Sequence, residues 1–348
     1  MQFFDGHLDL AMNALLYNRD QTWPVERVRK FEAEVQGQDD RGLCTTTLDE
    51  LGRAEARWCT VTLFSRARPG ATARQCFLRS DADAATPTIA AARAQAQLAY
   101  YRLLERQGHL RIATPGTALR ESPANDALEV LILMEGCDPV PGPDDLPPWR
   151  DLGVRTLSLT HTEPNTYAMG NHGDGPLTGA GRDLLKVMDQ LHMPLDLSHL
   201  CEKSFFDALE AFRGRVLVSH ANARALCPGR RQLSDDMIRA VVQRDAVIGI
   251  MLYNACLVPG WKTGVTPREG VTFAHVADHI DHICRLAGDT GHVAIGSDLD
   301  GGFGAEATPH GLDTMADIYK LAKVLAERGY GPADLAGVFH ENWLRFWA

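Results

Sequence analysis

Met193-Pro-Leu-Asp-Leu-Ser-His199 and Arg215-Val-Leu-Val-Ser-His220 are two short apolar runs, and the segment 203–212 between them has helix-forming composition. Short apolar runs bounded by turns read as buried strands. Strand, helix and strand in succession make a βαβ unit, and its two strands lie parallel. Both runs finish on Ser-His, so parallel pairing brings two imidazoles to the same end of the sheet.

The pattern repeats outward in both directions. Strand-like runs cover 2–8, 58–64, 129–135, 154–161, 193–199, 215–220, 246–252 and 292–298. Helix-like segments cover 88–106, 181–191, 203–212, 234–244, 273–287 and 314–328, with Ser234-Asp-Asp236 reading as an N-cap followed by acidic first-turn residues. Eight strands alternating with helices predict a closed (β/α)8 barrel of the TIM type, formed by 1–348 as one domain. The alternative is an open doubly wound sheet. Gly6 is the single glycine after the first strand, so the dinucleotide-binding variant is disfavoured. Proline density over 138–148 argues for a loop without regular helix, and 170–176 is a second, glycine-rich loop.

Composition sets limits on function. Lys plus Arg is 35 and Asp plus Glu is 45, a net charge of −10, which argues against nucleic acid or an anionic membrane as a general partner. No apolar run approaches the ~18 residues of a membrane span. Met1-Gln-Phe-Phe-Asp5 lacks a basic leader region and a cleavage site, so no membrane anchor and a cytoplasmic location are expected. The eight cysteines are scattered and form no C-x-x-C pair, as suits buried thiols in a reducing compartment.

The chemistry sits where the strands stop. Six of the eight runs finish on an acid or imidazole: His7 with Asp9, Glu135, His161, His199, His220 and Asp298. A barrel gathers the C-terminal ends of its strands at one mouth. One polar residue there is commonly a loop cap, but several acids and imidazoles facing one cavity are costly unless they are paired or hold a metal. His7-Leu8-Asp9 by itself is half of a divalent-metal site. His275, His279 and His282 share a helix face, yet that helix belongs to the outer ring and carries no His-Glu-x-x-His pattern, so they read as structural. His172, in the glycine-rich loop, is a weaker candidate for the mouth. His109, His192, His292, His310 and His340 have no motif around them.

Taken in order, Asp-Gly-His7-Leu-Asp9, Met-Glu135-Gly, Leu-Thr-His161, Gly-Pro-Leu-Thr-Gly-Ala-Gly-Arg182, Asp-Leu-Ser-His199, Ser-His220-Ala-Asn-Ala-Arg, Arg230-Arg231-Gln-Leu-Ser-Asp-Asp and Gly-Ser-Asp298-Leu-Asp-Gly301 span nearly the whole chain. This set resembles the membrane (renal-type) dipeptidases, peptidase family M19, within the amidohydrolase superfamily. The resemblance implies a two-zinc centre, with Mn2+ or Co2+ as substitutes, acting on small dipeptides through a metal-bridging hydroxide. His7 and Asp9 would bind one ion, His199 and His220 the other, and Glu135 would bridge them. His161 would contact substrate and stabilise the tetrahedral intermediate, Arg231 would bind the C-terminal carboxylate, and Asp298 would shuttle the proton. A homodimer is also implied. Arg230 and Asp300 rival Arg231 and Asp298 by position. Leu8 stands where the family often has Asn, and Thr162-Glu-Pro-Asn165 differs from the renal enzymes, which bears on substrate identity. The competing readings are another hydrolysis of the amidohydrolase type (amide, lactone or phosphoester) and a barrel that binds without catalysing.

Overall fold

The computed structural model describes residues 1–34, 42–68, 83–119 and 127–348. Its strands are β1 (Phe3–Leu8), β2 (Ala56–Phe64), β3 (Arg66–Ala67), β4 (Asp83–Ala84), β5 (Leu110–Ile112), β6 (Leu128–Glu135), β7 (Val154–Ser158), β8 (Leu195–Asp196), β9 (Val216–Leu217), β10 (Ile248–Ile250) and β11 (Val293–Ile295). Parallel pairing runs β1-β2-β6-β7-β8-β9. A bridge from Val218 to Ile248 leads on to β10, which pairs with β11. The ring then returns to β1: the backbone N–H of Ser297 donates to Asp5 Oδ1 at 2.9 Å, and that of Asp298 donates to the His7 carbonyl at 3.2 Å. These are the eight staves of a TIM-type barrel. β5 is an extra strand beside the lower part of β6, and β3 and β4 form a separate two-stranded ribbon.

Fully buried parallel strands need apolar residues on both faces, which explains the near-continuous Val/Leu/Ile runs. Helices over Pro87–Arg106, Gly179–Gln190, Glu202–Ala211, Asp235–Gln243 and Phe273–Ala287 cover the outside. The Ser234 side chain caps Asp235–Gln243 by accepting from the Met237 N–H. The proline-dense loop needs one correction: Leu146–Asp151 is a helix, with Pro147 and Pro148 in its first turn, where their missing N–H groups have no intrahelical partner to lose. The helical reading of 314–328 divides into a 3-10 stretch, Met315–Tyr319, and an α-helix, Lys320–Glu327.

The floor of the barrel is a plug. Phe4, Trp58, Leu131, Leu217 and Ala294 come from five staves, Val247 directly precedes a sixth, and all pack with Trp343, Phe346 and Trp347 in one cluster. Trp343 Nε1 donates to the Ile295 carbonyl at 2.8 Å. A Cβ on Gly6 would lie 2.5 Å from Trp343 Cζ2, so the indole occupies the space that any side chain at position 6 needs. Gly6→Ala is therefore expected to lower unfolding stability by about 1–3 kcal/mol through overpacking, read from urea or thermal unfolding. With its lower end filled, the barrel presents chemistry only at the opposite mouth.

The seven cysteines among the described residues are free thiols; Cys76 lies outside those residues. No helix among them is long and apolar enough to cross a membrane.

Candidate metal centre

Glu135 ends β6, and its carboxylate is the hub of the mouth. Oε1 lies 3.1 Å from His199 Nε2, 3.5 Å from His220 Nε2, 3.6 Å from His7 Nε2 and 3.9 Å from His161 Nε2. His199 Nε2 and His220 Nε2 are 3.0 Å apart. Asp9, one residue past β1, joins His7 and Glu135 in one group of ligand atoms within 4.8 Å of one another. Glu135, His199 and His220 form a second such group, and His7, His220 and Asp298 a third. Every ligand-type residue expected from the strand ends is thus gathered in one place. All but His161 and Asp298 are almost completely buried.

Hydrogen bonds behind the rings fix which nitrogen faces the hub. Ser219 Oγ donates to Asp196 Oδ2 at 2.6 Å, which uses its one proton. It then accepts from His220 Nδ1 at 2.8 Å and from His7 Nδ1 at 3.1 Å. Both rings therefore carry N–H at Nδ1 and turn Nε2 toward Glu135. Asp196 Oδ1 is held in turn by the Ser198 and Ser219 backbone N–H groups, each at 3.0 Å. The same logic applies to His199, whose Nδ1 faces Asn171 Oδ1 at 3.3 Å. Carboxylate-backed imidazoles with inward lone pairs are the usual outer support of metal-ligating histidines. His7 Nε2 is buried and has no hydrogen-bond partner. A buried ring nitrogen without a hydrogen-bond partner, beside carboxylate oxygens and two more imidazole nitrogens, fits a divalent cation, and the N/O donor set suits zinc.

Electrostatics agree with the geometry. Burial pushes His199 down to about 3, reinforced by the Arg231 charge. Burial likewise holds His220 far below the ordinary imidazole value, with His7 and Arg231 adding to it. Both are neutral, the ligating form. For His7, burial opposes the charged form, but Glu135, Asp9 and Asp298 outweigh it and raise the group to about 10, so the surrounding carboxylates favour a positive charge at Nε2, which a bound cation would supply in place of a proton. Burial and then Glu135 raise Asp9 to about 7. Glu135 is held well below the usual carboxylate range: His7 and the hydrogen bond to His199 overcome its burial. Its carboxylate is ionised and can accept from several cations at once.

His161 is oriented differently. Its Nδ1 lies 3.3 Å from Arg66 Nη1 and 3.1 Å from Thr162 Oγ1. A guanidinium can only donate, so Nδ1 accepts and the ring N–H sits on Nε2, toward the hub. Burial and the neighbouring His199 keep this ring neutral. Asp298, just beyond β11, has a left-handed backbone at φ 59° and places Oδ1 3.9 Å from His7 Nε2. Its rival Asp300 is engaged elsewhere: it accepts from the Thr45 and Thr46 backbone N–H groups and the Thr45 hydroxyl, and faces Arg19 Nη1 at 3.5 Å. Asn13 Nδ2 donates to the Asp9 carbonyl at 3.0 Å and the Asp300 carbonyl at 2.9 Å, tying the two acidic loops together.

A cavity of about 480 Å³ opens over Glu135, and both Arg231 and Arg66 line it. Arg231 Nη2 donates to the His220 carbonyl at 2.7 Å. Arg230 instead reaches the Gly173 carbonyl at 3.3 Å and lines the neighbouring groove. His172 reaches the cavity rim, held by Glu163 at 2.9 Å. The helix histidines are used structurally: His279 Nδ1 accepts from the Ala223 N–H at 3.1 Å, His275 Nδ1 accepts from the Thr272 N–H at 3.1 Å, and His282 pairs with Asp235 at 2.8 Å.

Sequence reasoning missed Ser219, Asp196, Asn13 and Arg66. A signal for two of them was present: both Ser-His pairs follow a strand, and Asp196 lies three residues before His199.

The family model for the membrane dipeptidases, peptidase family M19, matches residues 1–348. An uncharacterized protein from the pqqA 5' region of Klebsiella pneumoniae is 31% identical over 248 residues, covering 68% of this chain and 88% of that protein. The dipeptidase aclJ of Aspergillus oryzae is 34% identical over 201 residues, 57% of this chain; the match spans only 45% of that longer protein. Among solved structures, a metallo peptidase from Rhodobacter sphaeroides, liganded with a phosphinate mimic of the dipeptide L-Ala-D-Ala, superposes with a TM-score of 0.79 at 23% identity, over 100% of this chain and 98% of that one. That likeness carries the barrel fold. With its full length matched and its strand ends converging on one ligand cluster, the chain belongs to peptidase family M19, the metallo-dipeptidases.

Proposed function

We propose that residues 1–348 act as one metal-dependent barrel that hydrolyses the peptide bond of small dipeptides, with zinc as the native ion. The observation that carries the reading is the Glu135 carboxylate, with Oε1 between 3.1 and 3.6 Å from three inward-facing imidazole nitrogens. It is supported by His7 Nε2, which is buried without a hydrogen-bond partner. His7 and Asp9 form one half of the cradle, His199 and His220 the other, and Glu135 spans them. Two divalent ions held there would supply a hydroxide at neutral pH and polarise the scissile carbonyl.

The chain's own residues do the rest. Asp298 sits at the edge of the cluster, more open than the buried ligands. Burial raises its carboxyl well above the usual value; His7 opposes this, while Asp9 and Glu135 add to it. A carboxyl that readily holds a proton suits a shuttle from the attacking water to the leaving amine. His161 Nε2–H, fixed by Arg66 behind it, donates to the oxyanion as charge develops. Arg231 presents a planar fork to the C-terminal carboxylate and so sets substrate length.

Amidation of the C-terminus tests the last role. We expect kcat/KM to fall by about two orders of magnitude for amidated dipeptides, because a half-buried guanidinium loses its charged partner. Equal turnover of free and amidated forms would remove Arg231 from the substrate carboxylate.

A further inference from the structure

The cavity has a second cationic wall that the chemistry above leaves without a ligand. Arg66 lies in β3, two residues past the end of β2. Its guanidinium rests 5.3 Å from the Phe64 ring centroid. Nε is 2.7 Å from buried Asp83, and Asp83 also faces Arg68 Nε at 3.5 Å, so two guanidiniums share that carboxylate. Nη1 takes His161 at 3.3 Å. A guanidinium carries five N–H donors, and among the described residues these contacts leave further donors at the cavity wall. The cavity-lining acids Asp9, Glu135 and Asp298 all belong to the ligand cluster.

Position around the ring adds direction. β2 is the second stave, and β9, which leads to His220 and Arg231, is the sixth. Arg66 and Arg231 therefore stand on opposite sides of the mouth, with Glu135 and His161 between them. A dipeptide whose C-terminal carboxylate sits on Arg231, with its scissile carbonyl over Glu135, extends its N-terminal residue toward Arg66.

We propose that Arg66 selects dipeptides whose N-terminal residue has an acidic side chain, glutamyl or aspartyl. This rests on the dipeptidase reading and specifies its substrate class. A side-chain carboxylate there gains a charge-assisted hydrogen bond to the guanidinium, whereas a lysyl side chain meets a like charge.

The test compares isosteric pairs on the metal-loaded protein: glutamyl-alanine against glutaminyl-alanine, and alanyl-glutamate against alanyl-glutamine. In the wild type, the first pair is expected to differ in kcat/KM by about tenfold or more and the second by less than about threefold. In Arg66→Met, the first ratio falls to about one. Arg66 also holds His161, so its loss slows every substrate, and the ratio cancels that shared effect. Arg66→Met with Asp83→Asn removes the buried charge that would otherwise keep only Arg68 as its partner, and gives the same ratio if the single variant folds poorly. A wild-type ratio near one, a ratio that survives both variants, or a preference carried by the C-terminal glutamate instead would overturn the proposal. Turnover of glutaminyl-alanine without acidic preference overturns only the role of Arg66. Absence of any dipeptide turnover overturns the dipeptidase reading and this inference with it.

Discussion

Glu135→Gln is expected to lower kcat at least a thousandfold and to cut bound metal to less than half the wild-type content. The substitution keeps shape and volume but replaces the ionised oxygen that faces His199, His220 and His7 at 3.1 to 3.6 Å. An amide has one acceptor oxygen, no charge, and an N–H2 that points protons at neutral imidazole lone pairs. It cannot span two cations, and each half of the cradle is left with two protein ligands in place of three. Metal analysis on chelator-free protein, paired with steady-state kinetics, reads both effects. Wild-type metal content with wild-type turnover would show that the two halves are not joined through this side chain.

Asp298→Asn should separate chemistry from binding. A drop in kcat of about 100- to 10,000-fold is expected, the usual range for losing a general acid–base, with metal content near wild type. Asparagine tolerates the left-handed backbone found at this position, φ 59°, so the loop holds its course. Oδ1 lies 3.9 Å from His7 Nε2, farther than any of the three Glu135 contacts to His7, His199 and His220. Asp298 nonetheless groups with His7 and His220 within ligand distance. Metal lost in proportion to activity would make it a ligand and leave the proton shuttle to another group.

The barrel was legible because its staves are buried on both faces. A run such as 130–135, apolar until Glu135 closes it, has few other places to go. The candidate ligands were legible for the complementary reason: His, Asp or Glu closing such a run must be reconciled with burial. What the pattern hid was support from a distance. Ser219 looks like an ordinary residue before His220, yet its hydroxyl serves His7 as well, 212 positions away in the chain. Arg66 follows a strand as many surface arginines do; only folding shows that Phe64, Asp83 and His161 fix it at the cavity wall. The helix at Leu146–Asp151 was hidden because proline opposes helix everywhere except in the first turn, and the sequence does not mark where a turn begins.

The plug beneath the barrel also sets the order of events during synthesis. β1 is translated before the other staves, yet one side of it is completed by residues translated hundreds of codons later. Phe339 packs on Phe3 with ring centroids 6.3 Å apart, Trp343 fills the space beside Gly6, and the Ser297 and Asp298 amides bond to Asp5 and His7. A nascent chain stopped before β11 has a barrel open along that seam, with an unpaired strand edge of the kind that recruits other strands. Translation must therefore run past Asp298 before His7 meets its full set of neighbours, and past Trp343 before the floor beneath it is filled.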